Sequence, residues 1–370
     1  MRLVPISSCK PGMKLGKRIF SEEGLVLLGE HVELTERLIM RLRECGINFV
    51  YIEDSMTSDI VIPEMVSEET RLRALETIRH SFKEMMNSPK QRGGATYPYI
   101  AKHFKKVMAM LLDELGGHKD AMTMLVNIGV VDSYLFQHSL NVCIYTTLLG
   151  MEYGYNHEEL MTLGMGALLH DVGKTQVPSS ILFKPDKLTD EEYEQMKRHT
   201  EYGYYLLKDE ANIPLIVAHC AFQHHERLDG SGYPRGITGN EIHDYAKWIG
   251  IVDSYDAMTA SRIYSKPMLP HQAIEALYVG TGAQYEQRMV QLFRDKIVIY
   301  PIGLTVKLNT GETGVVVDMN SAYPQRPIIR ILYNEAGEIM SIPYEVDLSK
   351  QLSIMITHVM DGMEISSRGM

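Results

Sequence analysis

The sequence is poor in cysteine and in long apolar runs, and each scarcity argues against a class of protein. The 370 residues include only four cysteines, Cys9, Cys45, Cys143 and Cys220, with no CxxC pair. That spacing argues against a disulfide framework or a structural zinc site and favours reduced thiols. No run approaches the roughly 20 apolar residues of a membrane helix, and the N-terminus lacks an apolar signal region. We therefore expect a cytoplasmic protein without membrane insertion.

The sequence also has fewer basic than acidic residues. The formal net charge is −10, which argues against a long nucleic acid or an anionic membrane surface as a partner. A small polyanionic ligand remains compatible with this charge, because a local cationic site or metal ions can hold it. Hydrophobic residues make up 45% of the chain and charged residues 23%, as is typical of a soluble globular protein.

The hydrophobic pattern changes along the chain and predicts four parts. Residues 1–66 are predicted as a small α/β domain and residues 67–118 as a helical linker. Residues 119–298 have helical spacing almost throughout. Residues 299–370 alternate apolar segments with glycine-containing turns, which predicts a small β-rich domain.

Local signals predict individual elements within these parts. A helix is predicted over Glu33–Cys45 and a strand over Ile47–Ile52. An apolar helix over His157–Leu169 is followed at once by His170, and Thr189 with Glu192 forms a capping box at the start of another helix. The predicted C-terminal strands are Leu304–Leu308, Gly314–Met319, Pro327–Tyr333 and Glu338–Ile342.

Potential metal ligands are concentrated in the predicted helical part. They are histidines and aspartates: His138, His170, Asp171, His199, His224, His225 and Asp253. Imidazole and carboxylate groups suit divalent metals such as iron, manganese or zinc, and helices that present them inward build dinuclear centres. Two such metals stabilise the charge of a phosphoryl transition state. These residues alone predict a dinuclear metal site that hydrolyses a phosphoester.

The setting of two ligand pairs strengthens this prediction. The pair His170–Asp171 ends an apolar helix and is followed by Val172-Gly173-Lys174. The pair His224–His225 precedes the glycine-rich stretch Asp229–Pro234. Because Gly232 has no side chain, the backbone there can approach a ligand closely. An ordinary solvated turn is the alternative interpretation of this stretch.

These residues resemble the motifs of one family, the HD-GYP group of HD-domain phosphohydrolases. The resemblance rests first on His-Asp-Val-Gly-Lys at 170–174 and on His-His-Glu-Arg-Leu-Asp-Gly-Ser-Gly-Tyr-Pro at 224–234. It covers about residues 119–298. Further segments resemble the family in the same order: Gln137–Val142, Ile181–Pro185, Met196–His199 and Asp253–Thr259.

The resemblance implies a fold and a function. The fold is mainly α, a helical HD-GYP domain with a small N-terminal α/β segment and a small C-terminal β-rich domain. The function is bacterial signal transduction by a phosphodiesterase that hydrolyses the second messenger cyclic di-GMP to pGpG, GMP or both. The implied cofactors are two divalent metal ions, iron or manganese. The implied partners are cyclic di-GMP as substrate and a second copy of the chain or a signalling protein.

The resemblance also implies residue roles. One metal is held by His138, His170, Asp171 and Asp253, and Asp171 bridges to a second metal held by His199, His224 and His225. The implied catalytic residues are Asp171 and Lys174, with Lys174 beside the scissile phosphate. The implied substrate-binding residues are Gly232, Tyr233, Arg262 and Lys266.

One departure from the family pattern affects the metal count. Some members have a glutamate four residues before the first histidine that helps to hold a third metal, and this chain has Tyr134 there. We therefore expect two metals. Two alternatives to the leading function stay open: a phosphohydrolase for another cyclic dinucleotide, and a catalytically weak scaffold that binds cyclic di-GMP.

Overall fold

A computed structural model describes residues 1–21, 25–47, 49–87, 98–117, 134–184, 186–259, 268, 270–320 and 322–359. The chain divides into two units. The described residues of the first unit lie within 1–64 and 295–359, and those of the second lie within 65–117 and 134–294. The division of the sequence into four parts stays a prediction, because the two structural units do not test it.

The N-terminal residues of the first unit form one short helix and two pairs of antiparallel strands. The helix α1 (Glu36–Glu44) begins after Thr35, whose side chain accepts a hydrogen bond from the backbone of Leu38 and so satisfies a free N–H. It falls within the predicted helix over Glu33–Cys45. The paired strands are β1 (Arg2–Pro5) with β4 (Phe49–Ile52) and β2 (Ile19–Phe20) with β3 (Val26–Leu28).

The C-terminal residues of the first unit form a five-stranded antiparallel sheet. Its strands are β5 (Thr305–Leu308), β6 (Thr313–Asp318), β7 (Ile328–Tyr333), β8 (Ile339–Asp347) and β9 (Ile356–Val359), in the order β8-β7-β6-β5-β9. The four predicted strands are confirmed, and β9 was not predicted. The backbone N–H of Leu3 donates to the carbonyl of Gly303 over 2.8 Å, which ties the N-terminal residues to this sheet.

The second unit is helical. Its helices are α2 (Glu68–Asn87), α3 (Pro98–Leu115), α4 (Tyr134–Tyr153), α5 (His157–Leu169), α6 (Ser179–Leu182), α7 (Asp190–Lys197), α8 (His199–Leu207), α9 (Leu215–Gln223), α10 (Asp244–Thr259), α11 (Pro270–Val279) and most of α12 (Gln287–Lys296). The helix α4 is buried on all sides over residues 138–150, as expected of a central helix. It packs against α5 and α10. The mainly α fold with a small C-terminal β region is confirmed.

Helix starts in this unit follow the expected capping chemistry. The helix predicted over His157–Leu169 is α5, and Thr189 forms the predicted capping box with Glu192 at the start of α7. The segment predicted as a linker contains α2 and α3, which pack against α4 and α5 respectively. Their apolar faces are buried in the helical core, and Phe82 and Phe104 are fully buried there.

The structure bears on two sequence predictions, the reduced state of the cysteines and the absence of a membrane helix. All four cysteines are free, in agreement with the prediction of reduced thiols. None of the helices in the described ranges combines the length and the hydropathy that a bilayer crossing demands.

Candidate metal centre

The seven predicted ligands come from five different helices or their ends, and the fold brings them together. His138 lies in α4 and Asp253 in α10, while the remaining five stand at helix ends. These are His170 and Asp171 after α5, His199 at the start of α8, and His224 and His225 after α9. All are buried except His225, which is partly exposed. Five separated segments therefore converge on one interior site of the second unit.

The ligand atoms form two groups. We call His138, His170 and Asp171 the first cluster, and His199, His224 and His225 the second cluster. Within each cluster the ligand atoms lie within 4.8 Å of one another. This spacing is compatible with one cation for each cluster.

Asp171 lies between the two clusters. Its Oδ2 atom is 3.6 Å from Nε2 of His138 and 3.4 Å from Nε2 of His170. Its Oδ1 atom is 3.4 Å from Nε2 of His199 and 3.8 Å from Nε2 of His224. Each carboxylate oxygen therefore faces a different cluster, which is the arrangement that a bridging ligand needs.

Asp253 adds a second carboxylate beside the first cluster. Its Oδ1 atom is 3.1 Å from Nε2 of His138 and 4.0 Å from Nε2 of His170. Its Oδ2 atom is 3.8 Å from Nδ1 of His225. The carboxylate thus reaches toward a member of each cluster.

Backbone carbonyls orient three of the imidazole rings. Because a carbonyl oxygen only accepts hydrogen bonds, each Nδ1 that contacts one carries the proton, and the lone pair on Nε2 is left for a cation. The Nε2 atoms of His199 and His224 face each other over 3.3 Å, where two lone pairs repel unless a cation or a proton intervenes. The three contacts are His170 Nδ1 to Ala167 O at 2.7 Å, His199 Nδ1 to Met196 O at 2.8 Å, and His224 Nδ1 to Ala221 O at 2.9 Å.

The donor set fits a divalent metal. Among the described residues, Nε2 of His170 and Oδ1 of Asp171 are buried atoms without a hydrogen-bond partner. Buried polar atoms are otherwise almost always paired, so two unpaired acceptors on adjacent residues fit a cation-binding site. Imidazole and carboxylate donors suit iron, manganese and zinc.

The protonation states of Asp171 and of the second cluster agree with metal binding. Burial lowers the pKa of His199 to about 4 and holds the pKa of His224 and of His225 well below its ordinary value. Burial alone would raise the pKa of Asp171, but Lys174 and the nearby imidazoles hold it well below its usual range. Near neutral pH these side chains are therefore neutral imidazoles and a carboxylate, which are the forms that bind metals.

Sequence reasoning assigned no role to two buried residues behind His138, although both lie in segments that resemble the family. Asp256 accepts a hydrogen bond from Nδ1 of His138 at 2.8 Å and another from the side chain of Asn141 at 2.9 Å. Burial lowers the pKa of His138, but Asp253 and Asp256 outweigh burial and raise it to about 9. Helical spacing was an available signal, since Asn141 follows His138 by three residues and Asp256 follows Asp253 by three.

Lys174 lies beside the bridging carboxylate. Its ammonium group is 2.5 Å from Oδ2 of Asp171, and it follows Gly173 in a 3₁₀ turn over Val172–Gln176. A Cβ atom at Gly173 would lie 1.8 Å from the backbone oxygen of His199. Glycine is therefore required for this turn to pack directly against the start of α8.

The glycine-rich loop holds Tyr233 against the second cluster. The Tyr233 ring stacks on the His225 ring with centroids 4.6 Å apart. A Cβ atom at Gly232 would lie 2.4 Å from backbone atoms of His225 and Arg227. The close backbone approach at Gly232 is thus to its own chain, and a contact with a ligand stays a prediction.

A buried carboxylate anchors this loop, and sequence reasoning did not single it out. Glu226 accepts hydrogen bonds from the backbone N–H groups of Arg235 at 2.9 Å and Ile237 at 3.1 Å. Two other predicted substrate residues, Arg262 and Lys266, lie outside the described residues. The side chain of Tyr134, which bears on the metal count, is also outside the part that the structure describes.

Comparison with known proteins gives two matching family models. Residues 128–288 match the HD domain, and residues 305–368 match a KOW domain associated with the HD domain. The first match spans all seven ligand positions. The second includes the five-stranded sheet.

Curated relatives align mainly over the helical part. A cyclic di-GMP phosphodiesterase of Pseudomonas aeruginosa is 31% identical over 65% of this chain and 59% of the relative. A cyclic di-GMP phosphodiesterase response regulator of Xanthomonas campestris is 40% identical over 39% of this chain and 38% of the relative. A 3′3′-cGAMP-specific phosphodiesterase of Vibrio cholerae is 35% identical over 42% of this chain and 30% of the relative. The matches thus span less than two thirds of the length of each relative.

One solved structure aligns over a larger share of the chain. It is an HDG"Y"P protein from Bdellovibrio bacteriovorus, with 16% identity and a TM-score of 0.47 over 79% of this chain and 98% of that chain.

Proposed function

We propose that this chain is a metal-dependent phosphodiesterase of the HD-GYP family that hydrolyses cyclic di-GMP, and its HD domain and curated relatives support this. The products are pGpG, GMP or both. The observation that carries the proposal is Asp171, whose two carboxylate oxygens face different histidine clusters. Relatives named as cyclic di-GMP phosphodiesterases, at 30–40% identity, support the substrate.

The proposed cofactors are two divalent ions, iron or manganese. The first cluster with Asp253 would hold one ion, and the second cluster with Asp171 would hold the other. When bound, such ions stabilise the charge of a phosphoryl transition state and lower the pKa of water. The count of two rests on Tyr134, which has no carboxylate where a third ion would need one.

The roles of the surrounding side chains follow from their charge and position. Lys174 is placed to face a phosphate held near Asp171, where its ammonium group offsets developing negative charge and donates a proton to the leaving oxygen. Tyr233 lies at the wall of the second cluster and would contact the nucleotide together with the backbone at Gly232. Arg262 and Lys266 remain proposed phosphate ligands on the basis of the family resemblance alone.

A second candidate substrate is 3′3′-cGAMP. Relatives named for that cyclic dinucleotide match the chain at 35% and 38% identity, within the range of the cyclic di-GMP relatives. Both substrates share the phosphodiester linkage, so the same metal centre serves either one. A cytoplasmic location and a homodimer or signalling partner belong to this proposal as well.

One experiment tests the function directly. Protein purified without exposure to air is analysed for metals, and turnover is measured on cyclic di-GMP, 3′3′-cGAMP and cyclic di-AMP. We expect two metal equivalents per chain and the highest kcat/KM for cyclic di-GMP. If metal-loaded protein cleaves none of the three cyclic dinucleotides, the phosphodiesterase proposal is wrong, and the alternative of a scaffold that binds cyclic di-GMP is favoured. A higher kcat/KM for 3′3′-cGAMP would transfer the proposal to that substrate.

A further inference from the structure

A second lysine, Lys197, lies near the second cluster and contacts the ring of Tyr233. Lys197 is the last residue of α7, and its ammonium group is 5.6 Å from the centroid of the Tyr233 ring. It is also 5.4 Å from the centroid of the Tyr193 ring. Since the Tyr233 ring stacks on His225, Lys197 is one ring away from a proposed metal ligand.

The charge of Lys197 is available to a ligand. Its side chain is 25% exposed, and its ion pair is with Glu194 at 2.5 Å, a residue that is itself 68% exposed. Such surface pairs within one helix contribute little to stability, so an incoming anion exchanges readily for Glu194. Both tyrosine rings hold the ammonium group in place by cation–π attraction.

A cyclic dinucleotide needs more than one cationic contact. It contains two phosphodiester groups on opposite sides of a ring, and each carries a negative charge. When one group lies at the metal centre beside Lys174, the other extends away from the metals and still requires a counter-charge. The chain as a whole is acidic, with a net charge of −10, so this contact needs locally placed cations. Arg262 and Lys266 are already proposed for phosphates, and Lys197 is a further cation that lies among the described residues.

We propose that Lys197 binds the phosphate of the cyclic dinucleotide that is not being cleaved. This inference rests on the proposed function and assigns one substrate-binding residue to it. An ammonium group is a compact point charge suited to a non-bridging phosphate oxygen. Tyr233 then contacts both the second cluster, through His225, and the proposed phosphate ligand Lys197.

The test compares two lysines with the same kind of surroundings. Lys197→Met removes the charge and keeps most of the aliphatic stem. Lys208→Met is the control, because the ammonium group of Lys208 also lies over two tyrosine rings, Tyr204 at 6.0 Å and Tyr205 at 5.0 Å. Lys208 pairs with Asp209, and none of these contacts involves a cluster residue.

Two substrates distinguish binding of the cleaved phosphate from binding of the second phosphate. Cyclic di-GMP has a second phosphate, whereas bis(p-nitrophenyl) phosphate has only the one that is cleaved. For Lys197→Met we expect KM for cyclic di-GMP to rise roughly tenfold relative to KM for bis(p-nitrophenyl) phosphate, as for one lost charge-assisted hydrogen bond. Metal content should stay at the wild-type level, which excludes damage to His199 two residues away. Lys208→Met should match the wild type in all three measurements.

The other outcomes are distinct. A wild-type protein that fails to cleave cyclic di-GMP overturns the proposed function and this inference with it. Wild-type turnover with an unchanged KM ratio in Lys197→Met overturns this inference alone. A rise in KM for cyclic di-GMP but not for cyclic di-AMP means that Lys197 contacts the base, and it also overturns the phosphate assignment.

Discussion

Nδ1 of His138 donates a 2.8 Å hydrogen bond to Oδ2 of Asp256, a residue 118 positions further along the chain. Asp256 is fixed in turn by Asn141, whose side-chain amide donates to its other oxygen. The hydrogen bond orients the imidazole so that Nε2 faces Asp171 and Asp253. A carboxylate behind a metal-binding histidine holds the ring in place and increases its basicity.

Removing this carboxylate should weaken metal binding without removing a ligand. We expect Asp256→Ala to lower metal affinity by roughly 10- to 100-fold, the usual effect of losing such a partner. Competition with a chelator of known affinity measures the change. Asp244→Ala is the control, because Asp244 lies on the same helix but is exposed and pairs only with Lys247 among the contacts described. Equal affinities in the two variants would show that Asp256 does not support the site.

Asp171 and Lys174 are in contact, but alanine substitutions of the two residues are predicted to have different effects on metal content and activity. Asp171→Ala removes the carboxylate that faces both clusters, so metal and activity should be lost together. Lys174→Ala should keep both metals and slow hydrolysis by roughly 10²–10³-fold, as when one stabiliser of transition-state charge is removed. Metal stoichiometry and kcat measured on the same preparations separate these effects.

Either of two results would revise those roles. Asp171→Ala protein that retains two metal equivalents would exclude a bridging role for that carboxylate. Lys174→Ala protein with wild-type kcat would reduce Lys174 to a counter-ion of Asp171. Lys184→Ala is a useful control, since Lys184 also forms a close carboxylate pair, with Glu192 at 2.6 Å, and is not a proposed site residue.

The ligand residues could be predicted because their chemistry is visible in their type and in short motifs. His170–Asp171 follows an apolar helix whose bounds, His157–Leu169, are those of α5. The hydrogen bond from His138 to Asp256 was not predicted, because local periodicity carries no information about contacts between α4 and α10. Only the i, i+3 spacing within each helix pointed to these partners.

The same limit explains what was missed in the first unit. The strand β9 pairs with β5, about fifty residues earlier in the chain, with Val306 opposite Val359. It has only four residues, so its own alternation is a weak signal. The contact between Leu3 and Gly303 joins residues 1–64 to the C-terminal sheet, and no pattern within either segment indicates that pairing.

Glu226 is predicted to act on the substrate through the loop that it anchors. Glu226→Ala would leave the N–H groups of Arg235 and Ile237 without their acceptor, at a cost of about 1–3 kcal/mol for each group that stays buried. We expect a lower unfolding temperature and a higher KM with retained metal, because Tyr233 lies in the same loop. Glu226→Gln should recover part of the effect, since its amide oxygen still accepts one hydrogen bond.

The control for the loop is a carboxylate in a similar but exposed setting. Glu241 accepts a hydrogen bond from the backbone N–H of Thr238 at 3.1 Å and is exposed. Glu241→Ala should therefore leave KM unchanged. A wild-type KM in Glu226→Ala, together with an intact fold, would contradict the positioning role.

The last prediction concerns the acid stability of the first unit. Arg330 in β7 forms two hydrogen bonds of 2.7 Å with the carboxylate of Asp59, and it also contacts Glu345. The hydrogen bond from Arg330 lowers the pKa of Asp59 from 3.8 to about 2. Because this pKa is lowered in the folded state, the interaction stabilises the fold fully above about pH 4, and the contribution is lost as the pH falls toward 2.

Asp59→Asn should therefore destabilise the first unit near neutral pH but not at the acid end. The expected loss is at most about 1 kcal/mol, since the Asp59 side chain is 61% exposed and the pair is screened by salt, and it should shrink steadily between pH 4 and pH 2. Hydrogen exchange of the β7 amides measures this in wild type and variant. The single tryptophan, Trp248, lies in the second unit, so its fluorescence should be the same in both proteins. A difference in β7 exchange that does not shrink between pH 4 and pH 2 would contradict the assignment, because protonation of Asp59 weakens its pairing with Arg330.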